Sequence, residues 1–337
     1  MLERGVVMIK KFFILLASVT SLILLCKSAW AEDTNNFVDG FTLGGYSSLN
    51  LEIPRNKSAE VKINEISLIL RWENESRFKF FGEFELEYPL RWSSEHELTS
   101  RDAYFDLERL YLDYNLSEKL NLRAGRFLNP AGRWNLIHAA PLVWTSSRPL
   151  VTEQLFPSSV NGLMFYGSTP IKDYAFEYTF FTELLKDQIR DDDETIYKNV
   201  NGAHFSFTNG FNLGLTLATY REDENRSDNY RLIGLDFVTH LQRLEISGEA
   251  FARLTSKGND GGSGAYIQTA YNLGNEWYWL TRIETFEHPD TGSAERWLVG
   301  ATKRLKPNQL LKLEFIGGSD QNFETPNGFV GSFAVLF

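Results

Sequence analysis

The stretch Arg77-Phe78-Lys79-Phe80-Phe81-Gly82-Glu83-Phe84-Glu85-Leu86-Glu87-Tyr88 decides the fold. Phe78, Phe80, Phe84, Leu86 and Tyr88 share one parity, and Lys79, Glu83, Glu85 and Glu87 share the other. Side chains alternate between the two faces of a strand, so this segment has one apolar and one charged face. On a helix the same residues would scatter around the circumference. The apolar face needs a cover. A soluble sandwich supplies a second sheet; a membrane barrel supplies lipid, and its charged face then lines the interior.

The pattern recurs along the chain. Ile66, Leu68, Leu70 and Trp72 alternate with Ser67 and Arg71, and Leu110, Leu112 and Tyr114 with Arg109, Tyr111 and Asp113. Leu213, Leu215 and Leu217 alternate with Gly214, Thr216 and Ala218, and Leu244, Ile246, Ala250 and Ala252 with Glu245, Ser247, Glu249 and Arg253. Trp297, Val299 and Ala301 alternate with Arg296, Gly300 and Thr302, and Leu311, Leu313 and Phe315 with Lys312 and Glu314. Sixteen such segments lie near 40–50, 61–73, 77–88, 104–114, 119–127, 161–169, 174–184, 200–208, 211–221, 229–239, 242–254, 264–273, 276–287, 294–305, 308–317 and 328–337. Connections after even-numbered segments are tight, such as Asn209-Gly210 and Lys306-Pro307. Those after odd-numbered segments are longer and polar, such as Pro89 to Ala103, Leu128 to Val160 and Leu185 to Asn199. A sandwich has no reason to sort its loops by length in this way. The expected fold is therefore all-β: a transmembrane antiparallel β-barrel of about 16 strands, with both termini on the tight-turn side.

Composition agrees. Aromatic residues make up 14% of a chain whose mean hydropathy is −0.28, as expected when apolar residues occupy every second strand position. The one long apolar run, Phe12 to Leu25, follows Lys10 and Lys11 and precedes Ala29-Trp30-Ala31, which reads as a signal peptide over 1–31 cut before Glu32. Met8 is a second candidate start. The lone cysteine, Cys26, lies inside this leader, and Leu25 and Lys27 make poor neighbours for a lipidated cysteine. Residues 32–337 form the barrel domain, without disulfides, and the expected address is the outer membrane of a Gram-negative bacterium. A net charge of −10 with no basic stripe argues against a nucleic-acid partner. His96, His138, His204, His240 and His288 are scattered, and no nucleophile elbow, zinc-protease or phosphate-loop motif occurs, so neither enzyme activity nor a metal or other cofactor is expected. The acidic runs Asp191-Asp192-Asp193-Glu194 and Glu222-Asp223-Glu224 read as solvated loop faces, with cation bridging to lipopolysaccharide as the alternative.

The end of the chain places Phe329, Gly331, Phe333, Val335 and Phe337 on one parity. This resembles the carboxy-terminal signal that outer-membrane barrels present to the barrel-assembly machinery, carried here by Phe333, Val335 and Phe337. The run Leu122-Arg123-Ala124-Gly125-Arg126-Phe127-Leu128-Asn129-Pro130-Ala131-Gly132 resembles the "GrF.nPfG" passage of the phosphate-selective porin (O and P type) family, within the porin superfamily. Ser147-Arg148-Pro149-Leu150-Val151, Leu155 to Ser158 and Asn161 to Gly167 are similar to the passage that follows it there. Ala131 departs from the usual aromatic after proline. The resemblance implies a homotrimeric porin, seated in outer-membrane lipid and lipopolysaccharide, whose long third external loop is folded inward. That loop would be Leu128 to Val160. Its Trp134, Ile137, Leu142, Val143, Trp144, Leu150, Leu155 and Phe156 are too apolar for a solvated loop. It either enters the lumen, caps the barrel or packs at a subunit contact.

A barrel of this size leaves an aqueous channel, with selectivity set at its narrowest level. Candidate lining residues are Arg71, Arg109 and Arg123 on the polar parity, Arg126, Arg133 and Arg148 at the rim or on the loop, and Glu83, Glu85 and Asp113 opposing them. The expected function is passive diffusion of small hydrophilic solutes or ions through a mixed-charge pore. Anion preference is the sharper hypothesis, because guanidinium forks suit carboxylate and phosphate. The alternative is a non-conducting barrel scaffold for a periplasmic or electron-carrying partner.

Overall fold

A computed structural model of the chain describes residues 40–93, 97–186, 196–222, 229–289, 292–319 and 327–337. The leader, His96, Asp191 to Glu194, Asp223 and Glu224 lie outside the described residues. Sixteen strands follow one another: β1 Phe41–Pro54, β2 Glu60–Glu73, β3 Phe78–Ser93, β4 Tyr104–Ser117, β5 Leu120–Leu128, β6 Ser159–Ile171, β7 Tyr174–Glu183, β8 Tyr197–Thr208, β9 Phe211–Glu222, β10 Asn229–Leu241, β11 Leu244–Thr255, β12 Asp260–Gly274, β13 Trp277–His288, β14 Gly292–Lys306, β15 Gln309–Gly318 and β16 Gly328–Leu336. Each pairs antiparallel with its sequence neighbours, and β1 pairs with β16, so the sheet closes. All sixteen expected strands are present.

The closure involves the last residue. Tyr46 lies opposite Leu336 and Pro54 opposite Gly328. Gly45 and Phe337 then exchange backbone hydrogen bonds, with N···O distances of 2.8 and 2.9 Å. Tight hairpins mark one end of the barrel. Asn275 and Glu276 both have positive φ, as a two-residue turn between right-twisted strands requires. At the other end lie the connection over 129–158 and the described residues 97–103, 184–186 and 196 of the connections before and after it.

Burial follows the parity read from sequence. Leu213 and Leu217 on β9 are exposed, whereas Thr216 and Ala218 are buried inside. On β3, Phe84 faces out while Glu83 and Glu85 face in. The outward face is apolar, and aromatic residues gather near the tight-turn end, including Phe41, Trp72, Phe78, Tyr174, Phe211 and Trp279. Phe41 packs on Trp72 across β1 and β2, with ring centroids 6.2 Å apart. This is the apolar band with an aromatic girdle that lipid contact demands.

Three irregularities break the parity on adjacent strands of the wall. Asn64 is skipped in the β1–β2 register, between the pairs Ser48–Glu65 and Leu49–Ile63. Tyr88 and Pro89 bulge opposite Asn64, and Tyr88 has a φ of 45°. Glu108 is skipped between Glu83–Arg109 and Phe84–Leu107. A bulge turns the side chains beyond it to the other face. Two expectations are corrected here. Tyr88, read as lipid-facing, lines the interior, and Pro89, read as the start of a loop, sits inside a strand that runs on to Ser93.

Gly125 is the residue on which β5 depends. Its φ is 134°, and a Cβ there would sit 2.2 Å from the Leu110 carbonyl oxygen. Gly125→Ala should therefore destabilise the barrel by about 1–3 kcal/mol. This would be read as a lower temperature for conversion of the compact to the unfolded form on detergent gels; an unchanged temperature would show that β5 tolerates the bulk.

Candidate functional site

The connection over 129–158 enters the barrel and crosses to the far wall. Its two stems are clamped together first. Asn129 N–H donates to the Ser158 carbonyl at 2.8 Å, and the Asn135 amide donates to the carbonyls of Asn129 at 2.9 Å and Ser158 at 2.7 Å. Two short helical pieces follow, a 3-10 turn at Trp134–Ile137 and α1 at Leu150–Gln154.

Peptide groups inside a barrel need partners in place of water. Carboxylates of the far wall receive the loop's donors. Glu249 on β11 accepts the N–H groups of Arg133 at 2.8 Å and Trp134 at 2.6 Å. Glu314 on β15 accepts those of Ser146 and Ser147 and the Ser147 hydroxyl. Glu284 on β13 accepts Leu150 N–H at 2.7 Å, and Glu245 accepts the Trp144 indole N–H at 2.9 Å. Cations of the same wall take the loop's carbonyls. Lys312 donates to Ala140 at 2.6 Å and Thr145 at 3.1 Å. Arg282 donates to the Ser147 carbonyl at 2.9 Å, to the Thr145 hydroxyl at 3.0 Å and to the Ser147 hydroxyl at 2.7 Å. Arg296 and Arg253 reach the carbonyls of Arg148 and Leu155. The charges also neutralise one another, Glu284 lying 3.1 Å from Arg282 and 2.7 Å from Arg296.

Apolar side chains fill the space between these anchors. Phe127, Leu150, Val151, Leu155 and Phe156 join Phe251, Tyr266 and Phe286 of the wall in one buried cluster. Trp144 packs on Tyr278 with centroids 4.4 Å apart. Of the three positions open to this loop, the lumen is the one it takes.

The opposite side of the lumen stays open. A cavity of about 500 Å³ lies between the loop and the wall of β1 to β4 and β16. Its wall side carries Asn50, Glu52, Lys62, Asn64, Glu65, Glu85, Glu87, Tyr88 and Arg91; its loop side carries Trp134, His138, Ser146 and Arg148. Lys62 is 2.9 Å from Glu52, and Arg91 pairs with Glu60 and Asp102. His138 lies 3.4 Å from Glu108; burial holds its imidazole below the usual histidine range, partly opposed by that carboxylate. Among the described residues, no group of three His, Cys, Asp or Glu could hold a metal ion.

Of the residues chosen from sequence, Arg148 and Glu85 line this cavity. Arg148 donates to Asn135 Oδ1 at 3.0 Å and to the Thr152 carbonyl at 2.7 Å, over the Trp134 ring. Glu85 accepts the Tyr46 hydroxyl. The others are engaged elsewhere. Arg71 pairs with Glu73 near a tight turn. Glu83 accepts from Ser67 and pairs with Arg109, which lies over the Phe81 ring. Arg123 binds both oxygens of Asp113 at 2.8 and 2.9 Å and stacks 3.6 Å from the Tyr111 centroid. Arg126 is buried within 3.5 Å of Asn161 Oδ1, and the Arg133 side chain is exposed. Sequence reading missed Asn50, Glu52, Lys62, Asn64 and Glu65. Parity alone points Lys62 at lipid, and only the Asn64 bulge turns it inward. The anchoring role of Arg253, Arg282, Arg296 and Lys312 also went unread, although Arg253, Arg296 and Lys312 stood on the polar parity.

A closed sixteen-strand barrel whose third long loop is folded against the inner wall has the porin fold. Solved structures agree. The anion-selective porin from Comamonas acidovorans superposes with a TM-score of 0.61 at 13% identity, over 88% of this chain and 98% of that one. OmpF of Salmonella typhi, in complex with daunomycin, gives 0.62 at 10% identity, over 88% and 97%. The trimer form of OmpT from Vibrio cholerae gives 0.61 at 7%, over 89% and 100%. No family model matches the chain. An uncharacterized protein of Aquifex aeolicus (strain VF5) is 31% identical over 139 residues, which is 40% of this chain and 31% of that protein's length.

Arg282 is fully buried and holds the loop at three points, so Arg282→Met should strip it of partners at a cost of about 3–5 kcal/mol. The expected outcome is a barrel that still migrates as folded but whose loop a protease cleaves faster. A loop as resistant as the parent's would refute the anchoring role.

Proposed function

We propose that the chain is an outer-membrane porin through which small hydrophilic solutes and ions diffuse passively. The observation that carries this reading is the open, polar cavity between the inward loop and the β1–β4 wall, in a barrel too wide for its strands to fill. The leader over 1–31 and the terminal Phe333, Val335 and Phe337 support export and engagement of the barrel-assembly machinery. The tight hairpins then face the periplasm and the long connections the lipopolysaccharide. A homotrimer is the assembly this reading favours, as in the trimer form of OmpT. Kinship with the phosphate-selective family rests on the passage from Leu122 to Gly132 and its continuation.

Anion preference rests on Arg148 alone among the six arginines chosen from sequence, since it lines the cavity. The wall cations Lys62 and Arg91 are neutralised by Glu52, Glu60 and Asp102, whereas Glu65, Glu85 and Glu87 face Arg148 across the opening. This favours a transverse field with a weak preference for cations.

Purified protein in planar bilayers should give stepwise conductance, and a salt gradient should give a reversal potential of cation sign. Replacing Glu65, Glu85 and Glu87 together by Gln should move that potential toward anions. Well-folded protein that conducts nothing would instead favour the scaffold reading.

A further inference from the structure

The wall and loop sides of the cavity differ in hydrogen-bonding character. On the wall, Asn50 Oδ1, Asn64 Oδ1 and Glu65 Oε1 are buried without a hydrogen-bond partner. On the loop, Trp134 Nε1 and Ser146 Oγ are among the buried atoms without partners. Asn50 and Glu65 are 6% and 7% exposed, so solvent beyond the cavity cannot reach these oxygens. They belong to one patch. Asn50 sits on β1 opposite Lys62, Glu65 on β2 opposite Ser48, and Asn64 is the bulged residue between the two pairs. Buried acceptors left unmet are uncommon in folded proteins and call for a ligand or ordered water.

Three features select the ligand's chemistry. The unmet atoms of the patch are all acceptors, so the group that meets them must donate. The nearest carboxylates, Glu65, Glu85 and Glu87, favour a positive charge, and Tyr46, Tyr88 and Tyr104 line the same opening and suit an organic cation. Lys62 is held by Glu52 over the Tyr88 ring, and Lys312 is occupied by loop carbonyls, so neither fills the patch. A volume of about 500 Å³ fits a small organic molecule rather than a bare ion.

We propose that this patch is a subsite for small solutes bearing a primary ammonium, whose N–H groups meet Asn50 Oδ1, Asn64 Oδ1 and Glu65 Oε1. The remainder of the solute points toward the loop, where Trp134 and Ser146 can donate to an oxygen at its other end. The subsite rests on the reading of the lumen as an aqueous channel and narrows it to a solute class.

Two isomeric cations separate hydrogen bonding from charge. n-Butylammonium and tetramethylammonium have the same composition and charge, but only the first has N–H donors. Saturation-transfer NMR on the folded protein in detergent should give n-butylammonium an affinity about tenfold higher, the size expected of a charged hydrogen bond. Asn50→Ala and Glu65→Ala, checked for folding by heat-modifiable migration, should each reduce that ratio severalfold. Equal binding of the isomers, as expected if water alone satisfies the oxygens, would overturn the proposal, as would a ratio untouched by both substitutions. Binding needs no current, so conductance with equal binding removes the subsite and leaves the porin. Selective binding without conductance keeps the subsite and removes the porin.

Discussion

The loop over 129–158 can lie inside the barrel because the far wall supplies a charged partner for many of its inward peptide groups. Glu249, Glu284 and Glu314 take N–H groups, while Arg253, Arg282, Arg296 and Lys312 take carbonyls. Hydrogen bonds to ionised groups are roughly twice as strong as neutral ones. Neutralisation among the anchors keeps the desolvation of so many charges tolerable, as with Glu284 between Arg282 and Arg296. The apolar cluster around Phe156 and Phe251 then adds burial that no solvated loop would have. Anchoring and the open cavity are thus divided between walls. β9 to β15 hold the loop, and β1 to β4 with β16 are left to face water.

On that free wall the bulges determine what the cavity presents. A regular ladder would offer the side chains of one parity. The irregularities at Asn64, at Tyr88 and Pro89 and at Glu108 fall on three adjacent strands. Together they bring Asn64, Lys62 and Tyr88 to the cavity and set Glu108 within 3.4 Å of His138 on the loop. The positive φ of Tyr88 is strain that a tyrosine bears only where its surroundings impose it. Here the surroundings are a ladder that carries β3 past Pro89 to Ser93.

Strand number, parity and a last strand ending on Phe337 were legible because each is a property of one segment or of the order of segments. The residues of the third long loop left three positions open, and only the family resemblance pointed it inward. Period-two alternation survives any choice of neighbour. The candidate site was less legible because it depends on register, which a single sequence leaves unstated. Arg109 and Arg123 stood on the polar parity, as read, but register sets them against Glu83 and Asp113, and aromatic rings cover them. Lys62 was missed for the converse reason, since one skipped residue reverses its face. Glu245, Glu249 and Glu314 stood on the polar parity, as read, but register turns Glu249 and Glu314 to loop backbone and Glu245 to the Trp144 indole.

The distinction between a charge on the lumen face and a charge that acts on a solute also separates selectivity from net charge. The chain carries −10 overall, but a solute in the cavity experiences only groups whose own neighbours leave them uncompensated. Arg123, bound by both oxygens of Asp113 and stacked on Tyr111, contributes little field beyond its pair. Glu65 differs. It is buried at the cavity edge with one oxygen unmet, and its wall neighbour Lys62 is already committed to Glu52. The fold thus leaves its unmet polar groups at a few residues near one bulge, while paired charges on the opposite inner surface hold the loop.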